Sequence, residues 1–224
     1  MKIQDILAET RTISFEFFPP RESTGIHTVL EKIESLQVYS PNFISVTYGA
    51  GGSTRKFSEE LTTKAKAHYD VEVMAHLTCV GHTVKELDEI LERLESSAIE
   101  NIIALRGDLP TNQTKKLTVE NGFVHASDLI NHINKGYSFG LGAACYPEGH
   151  PEAVSFDHDI NYTKLKVENG ADFLITQLFY DNDDFFRFVD KARAIGIQVP
   201  IIPGVLPVLS SNQIRKFTRL CGAR

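Results

Sequence analysis

The chain is predicted to fold as a TIM-type (β/α)8 barrel, and three observations predict it. Seven short runs rich in β-branched, aromatic or other apolar residues start near residues 13, 43, 72, 101, 138, 173 and 200, mostly about 30 apart. Each gap holds a helical pattern, and crossovers of that length return the chain parallel and right-handed. No run is followed by G-x-G-x-x-G, the fingerprint expected of the alternative, an open doubly wound sheet that binds dinucleotides.

Ile3, Ile6 and Leu7 fit a short amphipathic N-terminal helix rather than the apolar centre of a signal peptide. Ile13-Ser14-Phe15-Glu16-Phe17-Phe18 reads as the first strand, stopped by Pro19-Pro20. Ile26, Val29, Leu30, Ile33 and Leu36 then recur at helical spacing. The second strand, Phe43 to Tyr48, ends at Gly49-Ala50-Gly51-Gly52, and a helix over Phe57–Ala67 leads to the third, Glu72–Thr78. Thr83-Val84-Lys85-Glu86 has the form of a capping box, with Val84, Leu87, Leu91, Leu94 and Ala98 as the apolar stripe behind it.

The fourth strand begins at Asn101 and delivers Arg106-Gly107-Asp108 at its C-terminal end, before a polar loop from Thr111 to Asn121. A helix over Ser127–Asn134 follows. In the fifth strand, Ser138–Tyr146, the small residues Gly140, Gly142, Ala143 and Ala144 suggest a backbone that a ligand approaches closely. A helix over Asp159–Asn169 closes on Gly170, which suits a C′ position. The sixth strand, Phe173–Phe179, precedes an aspartate-rich N-cap cluster, 181–184, and a helix over Phe185–Ile195. The seventh strand, Pro200–Val205, precedes a last helix carrying Ile214, Phe217 and Leu220.

Bulk properties narrow the function. A net charge of −6 without a basic stripe argues against nucleic acid as the main partner. No apolar run is long enough for a membrane span. The three cysteines lack a C-x-x-C pair, which points to a reduced, cytoplasmic protein with no zinc motif. Glu148, His150, Glu152, Asp157, His158 and Asp159 invite a metal reading, but their spacing matches no ligand motif and solvated loop charge is the plainer account.

Strand residues two apart share a face, so the less bulky faces present Glu16, Thr47, His76, Arg106 with Asp108, Ala144 with Tyr146, and Gln177 toward the strand ends. Each has a bland alternative: a wet carboxylate for Glu16, a satisfied core histidine for His76, a structural ion pair for Arg106 and Asp108. Six strands presenting polar groups at one mouth describe a site, because each group is costly to bury unpaired. Three neighbouring phenylalanines are expected to raise the pKa of Glu16 and suit it to general acid work.

The runs Ser14-Phe15-Glu16-Phe17-Phe18-Pro19-Pro20-Arg21, Ser45-Val46-Thr47-Tyr48-Gly49, His76-Leu77-Thr78-Cys79, Ala104-Leu105-Arg106-Gly107-Asp108-Leu109-Pro110, Tyr146-Pro147-Glu148-Gly149-His150-Pro151-Glu152-Ala153 and Ile201-Ile202-Pro203-Gly204 resemble the methylenetetrahydrofolate reductase family, in that family's order. The resemblance implies a flavin-containing barrel that reduces 5,10-methylenetetrahydrofolate to 5-methyltetrahydrofolate, with FAD as cofactor and NADH or NADPH as donor. It implies that Glu16 is the acid that helps open the folate ring and that Asp108 tunes the flavin and holds substrate. Thr47, Tyr48, Ala50, His76, Leu105, Arg106, Gly107, Asp108, Ala126, Tyr146, His150, Ala153, Asp159 and Lys166 match FAD-contacting positions. Gln177, Gln213 and Phe217 match positions that contact folate or the nicotinamide. Tyr162 and Leu165 depart from the family's polar or basic residues and are not assigned to FAD.

Residues 1–224 are expected to form a single flavin-dependent barrel domain that stops before the eighth βα unit. That expectation leaves the first and seventh strands with unpaired edges, which would favour a homo-oligomer. Two other functions fit a folate-binding barrel: a methyltransferase without redox chemistry, and a catalytically impaired chain that only binds flavin or folate.

Overall fold

The computed structural model describes residues 1–48, 54–108 and 119–221. It comprises two compact units, Met1–Leu141 and Gly142–Arg224. The first holds α1 (Ile3–Glu9), β1 (Ser14–Phe17), α2 (Gly25–Leu36), β2 (Phe43–Val46), α3 (Arg55–His68), β3 (Glu72–Thr78), α4 (Val84–Ser96), β4 (Asn101–Leu105) and α5 (Ala126–Gly136). The division falls within β5 (Gly140–Cys145); α6 (Phe156–Glu168), β6 (Phe173–Thr176), α7 (Asn182–Ala194), β7 (Ile201–Ile202) and α8 (Ser211–Cys221) follow. Strands and helices alternate and sequential strands pair in parallel, β1 to β4 in the first unit and β5 to β7 in the second. The fold is a TIM-type (β/α) barrel fold with seven βα units and an N-terminal helix, as expected.

Most strands end earlier than their apolar runs. Thr47 and Tyr48 leave β2, residues 106–108 leave β4, and β7 keeps only two of the six residues expected. The residues released at each C-terminal end become the loops that carry polar side chains. Helix α6 starts three residues sooner than predicted because Ser155 caps it, its Oγ accepting from the His158 amide at 3.1 Å. The capping box of α4 is formed as expected, with Thr83 Oγ1 and the Glu86 carboxylate bonding each other's amides. Its stripe buries Leu87, Ile90, Leu91 and Leu94, while Ala98 lies beyond the helix at φ 58°.

Burial fixes the register in the first unit. Every residue of β2 is buried, and Val73, Met74 and Leu77 of β3 are fully so. Leu61 and Ala65 of α3 and Leu87 and Leu91 of α4 supply the buried helix faces. A one-residue slip would exchange Ser45 with Ile44 and Val46 between the two buried faces of β2. In the second unit Phe173, Leu174, Phe188 and Ile160 are buried, and the Phe156 and Phe188 rings meet edge to face at 6.4 Å.

Helix α1 is tied to β4. The Ile3 amide donates to Asn101 Oδ1 at 2.7 Å, and Asn101 Nδ2 donates to the Met1 carbonyl at 3.0 Å. This explains Gly140 and corrects one expectation. A Cβ there would stand 2.5 Å from Gln4 Oε1 and 2.6 Å from Asn101 Oδ1, so the space belongs to the protein's own side chains rather than to a ligand.

Candidate functional site

In the parallel ladder Glu16 of β1 pairs with Ser45 of β2, and Ser45 with Met74 of β3. Paired residues point to one side of a sheet, and His76, two beyond Met74, shares it. Three polar side chains therefore meet on one face. Ser45 Oγ lies 3.4 Å from Glu16 Oε2, and His76 Nε2 lies 3.3 Å from the same oxygen. His76 and Ser45 are buried; Glu16 is about half exposed, at 49%.

The expected rise in the Glu16 pKa is overturned. Desolvation does push its carboxyl up, but the hydrogen bond and charge of His76, with Ser45, outweigh it and leave the pKa below the usual value. The phenylalanines do not enclose it, since Phe18 is 65% exposed and Phe15 and Phe17 only half-buried. The residue that governs Glu16 is His76.

At the end of β4 the ladder continues past the strand. The amides of Cys79 and Val80 donate to the carbonyls of Leu105 and Arg106 at 3.1 and 2.9 Å. Gly107 then turns at φ +90°, where a Cβ would also stand 2.9 Å from Thr78 Cβ. This turn exposes Asp108, while Leu105, Arg106 and Gly107 stay half-buried. Thr47 is held by its amide, which donates to Phe17 O at 2.9 Å, and by its carbonyl, which accepts from Ser58 Oγ at 2.7 Å. Ala126 is buried in the first turn of α5. Ala50, Leu109, Pro110 and residues 111–118 of the polar loop lie outside the described residues.

The second unit gathers five of the predicted residues. Lys166 Nζ donates to Ala144 O at 2.9 Å and lies 5.9 Å from the centre of the Tyr146 ring, which also meets His150 edge to face at 4.7 Å. The Ala153 amide donates to His150 O at 2.9 Å. Asp159 is buried, and its Oδ2 has no hydrogen-bond partner among the described residues. Burial raises its pKa, partly offset by Lys166 and the His150 amide. Gln177 turns its Oε1 back to the Leu178 amide at 2.8 Å. Gln213 and Phe217 stand about one turn apart on α8, and Gln213 Oε1 accepts from the Leu209 amide at 2.8 Å.

Two residues of these clusters were not picked out from the sequence. Ser45 was legible, because strand alternation places it beside Glu16. His82 was not, because it lies in the β3–α4 loop, where no periodicity operates. Its Nε2 is 3.1 Å from Tyr48 Oη, and it is 5% exposed. Among the described residues no three His, Cys, Asp or Glu side chains could hold a metal ion, and no helix is long and apolar enough to cross a membrane.

Comparison with known proteins places the chain in a family. Residues 2–224 match the family model for methylenetetrahydrofolate reductase. The chain is 41% identical to a probable methylenetetrahydrofolate reductase (NADH) of Oryza sativa over 99% of its length, and 39% identical to 5,10-methylenetetrahydrofolate reductase of Escherichia coli over 95%. It spans 39% of the rice protein and 70% of the bacterial one. Among solved structures, oxaloacetate acetylhydrolase with 3,3-difluorooxalacetate superposes with a TM-score of 0.58 at 11% identity, covering all of this chain and 77% of that one. A mandelate racemase/muconate lactonizing family protein from Azoarcus sp. EbN1 gives 0.53 at 14%, covering 91% of this chain and 47% of that one. At such identities these two show a shared fold alone. The chain belongs to the methylenetetrahydrofolate reductase family.

Proposed function

We propose that the chain reduces 5,10-methylenetetrahydrofolate to 5-methyltetrahydrofolate, using FAD and electrons from NADH, the donor named for the plant relatives. The observation that carries the reading is the junction of Glu16, Ser45 and His76: a carboxyl group that water can reach, beside a buried imidazole 3.3 Å away. A folate ring nitrogen that must accept a proton as its ring opens needs such a group.

The residues present fit FAD. Asp159 Oδ2 is a buried acceptor without a donor among the described residues, and a ribityl hydroxyl would supply one. Lys166 beside the Tyr146 ring offers a cation and an aromatic face suited to a phosphate or a ring. The positions proposed to hold FAD are Thr47, Tyr48, Ala50, His76, Leu105, Arg106, Gly107, Asp108 and Ala126 in the first unit, and Tyr146, His150, Ala153, Asp159 and Lys166 in the second. When bound, FAD supplies the two-electron carrier between nicotinamide and folate.

The protein's own contribution is proton control and orientation. His76 holds the resting Glu16 carboxyl in its ionised form. Substrate that covers Glu16 removes water and strengthens desolvation, which favours the protonated acid, and His76 stands close enough to pass the proton. Asp108, exposed at the Gly107 turn, offers acceptor oxygens to the amino group of the pterin. Gln177, Gln213 and Phe217 are proposed to contact folate or nicotinamide.

Purification with FAD followed by an NADH oxidation assay tests the reading. A yellow protein whose NADH consumption depends on methylenetetrahydrofolate is expected. A colourless protein that takes up no FAD would refute it. Flavin binding without turnover would leave the binding-only function.

A further inference from the structure

We infer that His82 is a positioning residue for Tyr48, tying the chain just past β2 to the β3–α4 loop at the wall where FAD is proposed to bind. The inference rests on that reading of Tyr48. Tyr48 lies two residues past the end of β2, and His82 four past the end of β3. Their side chains meet across the two loops, with Nε2 at 3.1 Å from Oη and ring centres 5.9 Å apart.

His82 is held from several sides. Its amide donates to Cys79 O at 3.3 Å, the next residue opens the capping box of α4, and Val84 donates to Asn121 O at 2.9 Å. Gly122 packs so close to His82 O that a Cβ there would collide with it. On the Tyr48 side, Arg55 Cζ lies 5.8 Å from the ring centre, and Arg55 Nη2 donates to Val80 O at 3.4 Å.

The pair is held in its uncharged forms. Burial and the Arg55 cation push His82 down to about 4, and burial pushes Tyr48 up to about 12, with Arg55 opposing. Both groups are neutral across the physiological range, so the bond joins an uncharged phenol to an uncharged imidazole, with donor and acceptor following the imidazole tautomer. Glu86 and Glu59, with Arg93, are the other charged groups acting on the pair. A half-buried phenol without this partner loses a hydrogen bond and is released to turn toward water.

The test is FAD titration of the full chain by fluorescence, with the thermal midpoint of each apoprotein recorded in parallel. His82→Leu and Tyr48→Phe are each expected to weaken FAD binding about threefold to tenfold, the loss of one hydrogen bond. The double variant should bind no more weakly than the weaker single one, because the same bond is lost once. His82→Gln, whose amide can accept from the phenol, should restore most of the affinity. Wild-type affinity in Tyr48→Phe and His82→Leu with a lowered midpoint would make the contact merely structural and overturn the inference. Multiplying losses in the double variant would overturn it too. Tyr48→Phe removes one hydroxyl and carries the test where His82→Leu does not fold. Failure of the wild-type chain to take up FAD would overturn the flavin reading and this inference together; wild-type uptake with unaffected variants overturns the inference alone.

Discussion

Two buried histidines of the first unit, six residues apart, hold oxygen atoms at nearly equal distances, yet their surroundings make them opposites. His76 faces a carboxylate that is half in water. That arrangement favours the charged carboxylate, and the Glu16 carboxyl is held below its ordinary value. His82 faces a phenol and a guanidinium, and that pair suppresses charge: imidazole and phenol are both driven toward their neutral forms. Proton chemistry needs the first arrangement and rigid positioning the second. One unit supplies both by changing the partner rather than the histidine.

The comparison can be broken most severely at Glu16. Glu16→Gln should leave flavin reduction by NADH nearly unchanged and slow folate reduction by roughly 10²–10⁴-fold, the range for a lost general acid. Stopped-flow measurement of the two half-reactions checks this, and equal losses in both would assign Glu16 to holding the site together.

Acid sensitivity sharpens the other pole. The folded His82 pKa lies below its unfolded value of 6.5, so between about 6.5 and 4 the unfolded chain binds the extra proton. Stability from this group is complete above pH 6.5 and falls with acidification through that window, by about 3 kcal/mol at most. Urea unfolding from pH 7.5 to 4.5 should show a slope that His82→Gln lacks. Parallel curves for the two proteins would show that His82 charges freely in the fold.

A smaller effect distinguishes the partners. His76→Ala removes the main influence that lowers the Glu16 carboxyl, so that group's titration should move upward in carbon-13 NMR of labelled glutamate. An unmoved midpoint would shift the credit to Ser45. The mildest change is Thr83→Ala, which opens the capping box beside His82 and should cost about 1 kcal/mol of stability in thermal unfolding. No loss would mean that Glu86 alone suffices at that end.

The legible part of the molecule is the part governed by period. Strand runs of β-branched and aromatic residues gave the βα alternation, and Thr83-x-x-Glu86 gave the start of α4 to the residue. Alternation also placed Glu16 and His76 on one face. Less legible was anything set by contacts distant in the chain. The electrostatics of Glu16 were misjudged because its chain neighbours, the phenylalanines, are not its principal neighbours in space. Gly140 misled for the same reason: the groups that require a glycine there come from residues 4 and 101. His82 is a loop residue whose partner lies 34 positions away.

The Gly107 turn also sets which routes remain open to change. Its backbone sits at φ +90°, and the space beside it is filled by Thr78. Any side chain there meets both a conformational and a steric penalty, so a saturation library at this position should return glycine almost alone. Variation in this loop is channelled to its flanks. Exchange of Arg106 would leave its carbonyl on the ladder to Val80, and exchange of exposed Asp108 would leave the core undisturbed, each at the cost of the ligand contact proposed for it. Substitutions that alter ligand contacts in this loop would therefore fall at residues 106 and 108, where they act on FAD and pterin binding, on either side of a turn that stays fixed.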